Sequence, residues 1–348
     1  MKKIKVGLAG LGFMGTTHLG IYRGLKDVEV VAIADLDPAK LKGDISKVVG
    51  NIGGGDNSKL LEMKGIKTCS SAFDLLSNSE IDIMDICVPT QDHQKIAVAA
   101  LQGGRHVICE KPVCRTVAEL EELAEVARES GKFFNAGMCV RAWPEYYHAQ
   151  SMFKAGKFGK IITAGFRRLS PNISGNSWDN WFMDAKKSGG ALLDLHLHDT
   201  DFIRFMFGRP EAVTSYGINS VRSDGGVDYV MTNYSFPGSL ITAEGGWCAS
   251  RKVPFEMSFQ MIFEKATVRL AGEGYKIYWE NGDVESPQVA DAALPTGWHQ
   301  ELAYFVNCVR DNVKPDKYQD MADIVDSFKI VAAEQKSVDT GKTVKIKY

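Results

Sequence analysis

Apolar and polar positions in the first third of the chain alternate between two periods. Four short apolar runs predict buried strands: 4–8, 28–34, 81–88 and 106–109. The segments between them have the spacing of amphipathic helices, most clearly 117–130, which Gly131 ends. Strands that alternate with helices indicate βαβ units, and hence an α/β fold with a doubly wound parallel sheet.

The pattern changes after about Pro144. Helices are predicted near 146–155 and at 191–207, and six runs rich in β-branched and aromatic residues follow: 212–218, 229–236, 239–247, 255–263, 266–270 and 275–279. Consecutive strands with few helices predict an α+β domain with a mostly antiparallel sheet. We therefore expect a first domain at 1–130 and a second at 131–348, whose closing helices can pack back on the first.

Composition limits the classes of partner. The 348 residues carry a formal net charge of -2 with no basic stripe, which disfavours nucleic acid and membrane surfaces and favours a small molecule. No run reaches the roughly 18 apolar residues of a membrane span. A basic start precedes an apolar stretch, but the glycines that follow argue against a cleaved signal peptide. Seven cysteines without a CxxC pair predict free thiols in a reducing cytoplasm.

A glycine-rich turn lies between the first predicted strand and the next helix. Gly10, Gly12 and Gly15 fit the G-x-G-x-x-G pattern, and Asp35 ends the second strand roughly 20 residues later. Such glycines admit a pyrophosphate and such an acid accepts hydrogen bonds from a ribose, so NAD is predicted and NADP is less favoured. The alternative is a tight βα turn, with Asp35 as a helix cap.

Lys111 directly follows the predicted strand 106–109, within Glu110-Lys111-Pro112. The carboxyl end of a parallel strand is where ligands of doubly wound sheets bind, so this lysine is a candidate proton-transfer group. Pro112 restricts Lys111 to an extended or turn conformation, with either a trans or a cis peptide bond. The alternative is a solvated surface lysine beside Glu110.

Three polar residues recur on the predicted helix 191–207. Asp194, His198 and Asp201 share one face at helical spacing, while His196 points to the opposite side. Three interpretations are possible: a buried network in which these polar groups bond one another, a metal site, and acid–base catalysis. In the last, His198 acts with Lys111 and Asp194 orients the substrate. We favour catalysis and predict no metal.

The chain resembles the glucose-fructose oxidoreductase / inositol dehydrogenase / rhizopine catabolism (Gfo/Idh/MocA) family. Residues 88–93, 104–107 and 110–112 resemble the family's run of Pro-Thr/Asn-x-x-His, Gly-x-His-Val and Glu-Lys-Pro, and residues 189–198 resemble its Gly-Gly-x-x-x-Asp-x-x-x-His pattern. The resemblance implies a Rossmann domain, a second domain with an open, mostly antiparallel sheet, and a homodimer or homotetramer. His196 stands where many relatives have glycine, and no role is predicted for it.

The resemblance also implies a site. Its catalytic residues would be Lys111, Asp194 and His198. The residues expected at the cofactor are Gly10, Gly12, Phe13, Met14, Gly15, Asp35, Pro89, Thr90, His93, Glu110 and Lys111. On the substrate side we expect Arg141, by resemblance, and Trp143, Trp178 and Trp181, whose flat apolar surfaces suit a sugar ring. The alternative is that these tryptophans only close a domain interface.

These residues predict an NAD(P)-dependent dehydrogenase that oxidises a secondary alcohol of a sugar or cyclic polyol. Hydride would pass to the nicotinamide while Lys111 or His198 takes the hydroxyl proton. Two alternatives are a catalytically silent cofactor-binding sensor and a glycoside hydrolase that recycles NAD within each turnover.

Overall fold

The computed structural model describes residues 3–50, 60–175, 177–318 and 320–348, and of Trp178 it describes the backbone only. The chain divides into two compact units. The first comprises Met1–Gly137 and Trp298–Ala322, and the second comprises Met138–Gly297 and Asp323–Tyr348.

The first unit is built on a six-stranded parallel sheet in the order β3-β2-β1-β4-β5-β6. Its strands are β1 (Ile4–Ala9), β2 (Val28–Ala34), β3 (Lys67–Cys69), β4 (Ile83–Ile86), β5 (His106–Cys109) and β6 (Phe134–Ala136). The order reverses between β1 and β4, and the loops that follow those strands open a crevice at the carboxyl edge of such a sheet. The predicted doubly wound sheet is confirmed.

Helices of the first unit bury apolar faces against this sheet. They are α1 (Phe13–Gly24), α2 (Ala72–Leu75), α3 (His93–Gln102) and α4 (Val117–Ser130). A capping box of Thr116 and Glu119 begins α4, and Gly131 ends it in the left-handed conformation, as its sequence predicts.

The boundary between the units differs from the expected one. Phe134–Ala136 pairs in parallel with β5, so the first unit extends to Gly137 and does not end at residue 130. One closing helix returns to the first unit, where its residues Leu302 and Phe305 pack in a core cluster with Val6 of β1. An edge strand of three residues carries too short a pattern to assign it to a sheet.

The second unit contains a nine-stranded sheet in the order β14-β13-β12-β11-β7-β10-β9-β8-β15. The strands are β7 (Ile161–Pro171), β8 (Ala212–Asn219), β9 (Val227–Phe236), β10 (Ser239–Ala249), β11 (Glu256–Phe263), β12 (Ala266–Ala271), β13 (Gly274–Trp279), β14 (Val284–Glu285) and β15 (Val344–Lys345). Its neighbours pair antiparallel except β7 and β10, which pair in parallel. This confirms the predicted α+β class.

The remaining helices are α5 (Pro144–Lys154), α6 (Ala185–Ser188), α7 (Leu197–Phe207), α8 (Gly297–Asp311) and α9 (Met321–Thr340). The predicted helix 191–207 is present, but its first part, Leu192–His196, is a π-helical turn. Helix α7 packs on β7 and α5 packs on α7, where Phe166 and Phe202 lie in one buried aromatic cluster with Tyr146.

Two further expectations concern the whole chain. No helix within the described residues combines the length and apolar character needed to cross a membrane. All seven cysteines are free thiols, and four of them are buried.

Candidate functional site

The turn after β1 has the shape that a dinucleotide pyrophosphate requires. Gly10 has a φ of +93°, and a Cβ there would lie 2.6 Å from the carbonyl oxygen of Cys87. A Cβ on Gly15 would lie 1.9 Å from the Gly10 oxygen, whereas Gly12 faces open space. The three glycines therefore have the expected geometry. Gly10 forms the tight turn, Gly12 leaves open space for a ligand, and Gly15 lets the helix pack closely.

The N-terminus of α1 adjoins this turn. Gly12 is its N-cap, and no side chain among the described residues caps the exposed amides. These N–H groups and the positive end of the helix dipole suit an anionic group. Phe13 and Met14, the first two residues of α1, are half-buried beside the turn, and the ring of Phe13 packs edge-on against Trp298.

Asp35 lies at the end of β2, beside the glycine turn. Its Oδ2 accepts a hydrogen bond from the backbone N–H of Leu11 (2.7 Å), and its Oδ1 accepts one from Asp37 (2.8 Å). The Lys40 ammonium is 3.6 Å from Oδ2. Because the carboxylate is fixed at the turn and Lys40 already pairs with it, the site fits the ribose hydroxyl of NAD better than the 2'-phosphate of NADP.

Lys111 is half-buried and stands just beyond the end of β5, as predicted. The Glu110 carboxylate is turned inward and is 5% exposed, and its Oε2 accepts a hydrogen bond from the Lys111 N–H at 3.1 Å. The Lys111–Pro112 peptide bond is cis. Glu110 thus holds the backbone of Lys111.

His93 is also turned inward. Its Nδ1 lies 2.8 Å from the Pro112 oxygen and its Nε2 lies 2.7 Å from the Val88 oxygen, with the ring 1% exposed. Burial lowers the pKa of His93 although both carbonyls favour the charged ring. The imidazole therefore ties the segment after β4 to the turn that contains Lys111. Pro89 and the buried Thr90 begin the 3₁₀ turn that precedes it.

In the second unit, Asp194 lies within the π-helical turn and His198 lies in the first turn of α7. They are 6% and 9% exposed. π-helical turns are rare and occur often at functional sites. The extra residue in this turn breaks the regular spacing on which the shared face of Asp194, His198 and Asp201 was predicted.

Asp201 is bound into a different arrangement. Its Oδ2 and Oδ1 accept hydrogen bonds from the Arg141 guanidinium at 2.7 and 2.6 Å, and Ser327 of α9 donates to Oδ1 at 2.8 Å. Arg141 is fully buried, with its guanidinium 4.9 Å from the ring centre of Phe205. Arg141 is therefore an internal ion-pair partner, which corrects the expectation that it contacts the substrate. Because Asp201 pairs with Arg141, one of the two carboxylates in the metal-site hypothesis is already bound.

His196 belongs to a buried polar cluster beneath the π-helical turn. Its Nε2 lies 3.2 Å from the Tyr234 hydroxyl and 3.4 Å from Glu334 Oε1. Thr200 bonds both partners, at 2.8 Å to Tyr234 and 3.1 Å to Glu334. A Cβ on Gly245 would lie 2.7 Å from the His196 ring, so the strand there has room only for glycine. The cluster ties the turn to β9, β10 and α9.

The structure describes the side chains of two of the three expected tryptophans. Trp143 and Trp181 are half-buried, and the Trp178 side chain lies outside the described residues. Trp181 packs against Phe182 with ring centres 5.0 Å apart. Its buried indole N–H has no hydrogen-bond partner among the described residues. A donor of this kind suits a ligand oxygen.

Sequence reasoning missed several buried polar groups. His18 on α1 and Asp85 on β4 are fully buried and 2.9 Å apart, and Arg168 of β7 is paired with Asp199 at 2.9 Å. One signal was available, since Asp85 interrupts the apolar strand 81–88 and a buried acid requires a partner. The partners themselves are remote in sequence.

The comparisons with known proteins agree with this geometry. Residues 4–138 match the family described as "Oxidoreductase family, NAD-binding Rossmann fold", and residues 146–269 match the "GFO/IDH/MocA C-terminal domain". Among curated relatives, the chain is 27% identical to levoglucosan dehydrogenase of Pseudarthrobacter phenanthrenivorans, over 62% of the chain and 54% of that protein. It is 26% identical to scyllo-inositol 2-dehydrogenase (NAD(+)) of Bacillus subtilis, over 90% and 88%.

The chain spans about half the length of the first curated relatives it matches. Among solved structures, the WlbA dehydrogenase from Bordetella pertussis, in complex with NADH and UDP-GlcNAcA, has a TM-score of 0.84 at 20% identity and covers 100% of this chain and 99% of its own. That likeness concerns the fold. The two matched regions together show that the chain belongs to the GFO/IDH/MocA oxidoreductase family and has an NAD-binding Rossmann domain.

Proposed function

We propose that this protein is an NAD-dependent dehydrogenase that oxidises a secondary alcohol of a sugar or cyclic polyol. The observation that carries the proposal is the fixed position of Lys111. A lysine stands at the carboxyl edge of the parallel sheet, with its backbone held by Glu110 and the following carbonyl held by His93. A group fixed at this edge is well placed to act on a ligand in the crevice.

The residues that would hold NAD are those of the glycine turn, the N-terminal amides of α1, and Asp35. When bound, NAD supplies a nicotinamide ring that accepts hydride from the alcohol carbon. Glu110 and His93 contribute indirectly, because they fix the polypeptide on which Lys111 stands.

We propose that the proton of the substrate hydroxyl passes to Lys111 or His198. Either side chain can accept it in its neutral form, the lysine through Nζ and the histidine through a ring nitrogen. Asp194 would orient the hydroxyl or the imidazole. The π-helical turn supports this assignment, since it contains Asp194, directly precedes the helical turn of His198, and is held by the buried partners of His196.

A ring-shaped polyol suits the substrate side. Trp181 offers a half-buried ring and a buried N–H donor, and Trp143 offers a second half-buried aromatic surface. The relatives named for levoglucosan and scyllo-inositol support a cyclic substrate. Replacement of Trp181 by phenylalanine would then raise KM for the polyol more than it lowers kcat, because the donor is lost while the aromatic surface remains.

We propose that the outer face of the second sheet forms a homodimer or homotetramer. Apolar side chains on neighbouring strands are more than half exposed there: Ile162, Tyr216, Ile218, Met231 and Leu240. An apolar patch of this extent on a sheet face is typical of a protein interface. Light scattering of wild-type protein and of Met231→Glu tests this; a wild-type monomer would contradict it.

The deciding experiment is a panel of inositols, aldoses and glycosides, each incubated with NAD and with NADP while absorbance of the reduced nicotinamide is followed. Net reduced cofactor with a polyol or sugar supports the dehydrogenase. Hydrolysis of a glycoside without net reduced cofactor would replace it with the redox-assisted hydrolase. Cofactor binding without turnover of any compound would favour the silent sensor.

A further inference from the structure

A buried polar network joins the glycine turn to the strand end that contains Lys111. His18 of α1 lies 2.9 Å from Asp85 Oδ2 through Nδ1 and 3.3 Å from Glu110 Oε1 through Nε2. The Tyr22 hydroxyl donates to the same Asp85 oxygen at 2.8 Å. The Cys87 sulfur lies 3.4 Å from His18 Nδ1 and 3.4 Å from Asp85 Oδ1. We call these five residues the His18 network.

The two atoms that face each other across the network have no other hydrogen-bond partner. Among the described residues, neither His18 Nε2 nor Glu110 Oε1 has one. His18 is fully buried and Glu110 is 5% exposed, so bulk solvent does not reach either atom freely. Each atom therefore depends on the other, and loss of either leaves a buried polar group unsatisfied.

The surroundings of His18 favour the charged ring. Burial opposes that charge, but the polar neighbours of His18 outweigh burial and hold its pKa well above the usual value. The Glu301 carboxyl of α8 also faces this region; burial first, then the Glu110 and Asp85 charges, raise its pKa well above normal. Both shifts have the same physical origin, since buried ionisable groups respond strongly to the charges beside them.

Glu110 transmits this arrangement to Lys111. One carboxylate oxygen faces His18, and the other accepts the Lys111 backbone N–H at 3.1 Å. The carboxylate fits in this position because residue 137 is glycine, where a Cβ would lie 3.2 Å from Glu110 Oε1. The chain direction at the end of β5 is therefore fixed from inside the unit by an imidazole on α1.

A metal site is a less favoured interpretation of the same residues. Ligand atoms of His18, Asp85 and Cys87 lie within 4.8 Å of one another. They already satisfy one another by hydrogen bonds, however, and burial raises the pKa of the Cys87 thiol far above neutrality. A neutral thiol is a poor metal ligand.

We propose that His18 is a positioning residue, which holds the Glu110 carboxylate against the Lys111 backbone and so fixes the side chain of Lys111 at the sheet edge. That Lys111 is the group acting on the substrate rests on the proposed function. The positioning itself concerns only the first unit and can be measured without a substrate.

The experiment compares His18→Gln with Tyr22→Phe. Both changes fall on one face of α1 and remove one hydrogen bond to Asp85, but only His18→Gln breaks the contact with Glu110. In the protein without added substrate, the rate at which an amine-reactive reagent labels Lys111 is measured by mass spectrometry, with the exposed Lys26 as internal reference. The dissociation constant of NAD in the absence of substrate, and kcat, are then measured on the same samples.

His18→Gln is expected to change the labelling rate of Lys111 relative to Lys26 severalfold and to lower kcat by about 10- to 100-fold, because a small misplacement of a catalytic group costs this much. Tyr22→Phe should lower the melting temperature but leave both quantities within about twofold. Glu110→Gln should reproduce the His18→Gln result. The variant with both substitutions should lose little more activity than either alone, because both substitutions break the same contact.

Three results would overturn the proposal. One is unchanged Lys111 labelling in His18→Gln, and another is an equal effect of Tyr22→Phe, which would make the network merely structural. The third is a stoichiometric metal ion in the purified protein by elemental analysis. If wild-type protein oxidises no compound in the panel, the proposed function fails, while the labelling comparison still decides the role of His18.

Discussion

Replacement of Arg141 by methionine separates an internal ion pair from a substrate contact. The guanidinium and the Asp201 carboxylate are 0% and 1% exposed and are joined by two hydrogen bonds. Methionine keeps much of the apolar stem but leaves the Asp201 carboxylate buried, with the Ser327 hydroxyl as its remaining hydrogen-bond donor from α9. A structural role therefore predicts a large loss of stability.

The size of the loss follows from the burial. Removal of one partner of a fully buried ion pair costs about 3–5 kcal/mol. With a urea dependence of about 2 kcal/mol per molar, the unfolding midpoint falls by roughly 2 M. The matched control is Arg128→Met, because the Arg128 side chain is 68% exposed beside Glu125 and such surface pairs contribute at most about 1 kcal/mol.

The assay is urea unfolding followed by circular dichroism, together with KM for whichever polyol the panel identifies. We expect Arg141→Met to lose several times more stability than Arg128→Met. If Arg141→Met unfolds within about 1 kcal/mol of wild type but raises KM at least tenfold, the internal ion-pair account is refuted and the arginine is a substrate contact.

Two further predictions concern the glycine turn and the π-helical turn. Gly12→Ala should fold normally, since its Cβ meets open space, but should weaken NAD binding about tenfold or more; Gly15→Ala should lose stability as well, because its Cβ would meet the Gly10 oxygen. Equal NAD affinity in Gly12→Ala and wild type by calorimetry would exclude the turn as the pyrophosphate site. His196→Ala should destabilise by about 2–5 kcal/mol in thermal unfolding, since it leaves a cavity and removes the imidazole from buried Glu334; a change below about 1 kcal/mol would show that the cluster does not hold the turn.

Local patterns were sufficient to predict the elements near the cofactor. The strand 4–8, the glycines after it and Asp35 lie within one βαβ unit, where short-range spacing determines the geometry. The position of Lys111 followed for the same reason, since it immediately follows a strand. The burial of His93 and Glu110 was not predicted, because a motif identifies the residues but does not show whether a side chain turns inward.

Long-range pairs lay beyond the sequence. Arg141 and Asp201 are 60 residues apart, and Thr200 and Glu334 are 134 apart, so nothing local indicates which acid meets which base. The π-helical turn was missed because its residues have ordinary helical periodicity, and the close approach of His196 to Gly245 of β10 is a long-range contact. The long-range contacts of a fold override local propensity at such sites.

Lys111→Ala tests the central claim most directly. We predict that turnover of the polyol falls by about 10²- to 10⁴-fold, the usual contribution of a general acid–base group. The NAD dissociation constant measured by calorimetry should stay within about threefold of wild type. Turnover within tenfold of wild type, or loss of NAD binding together with turnover, would contradict the role assigned to Lys111.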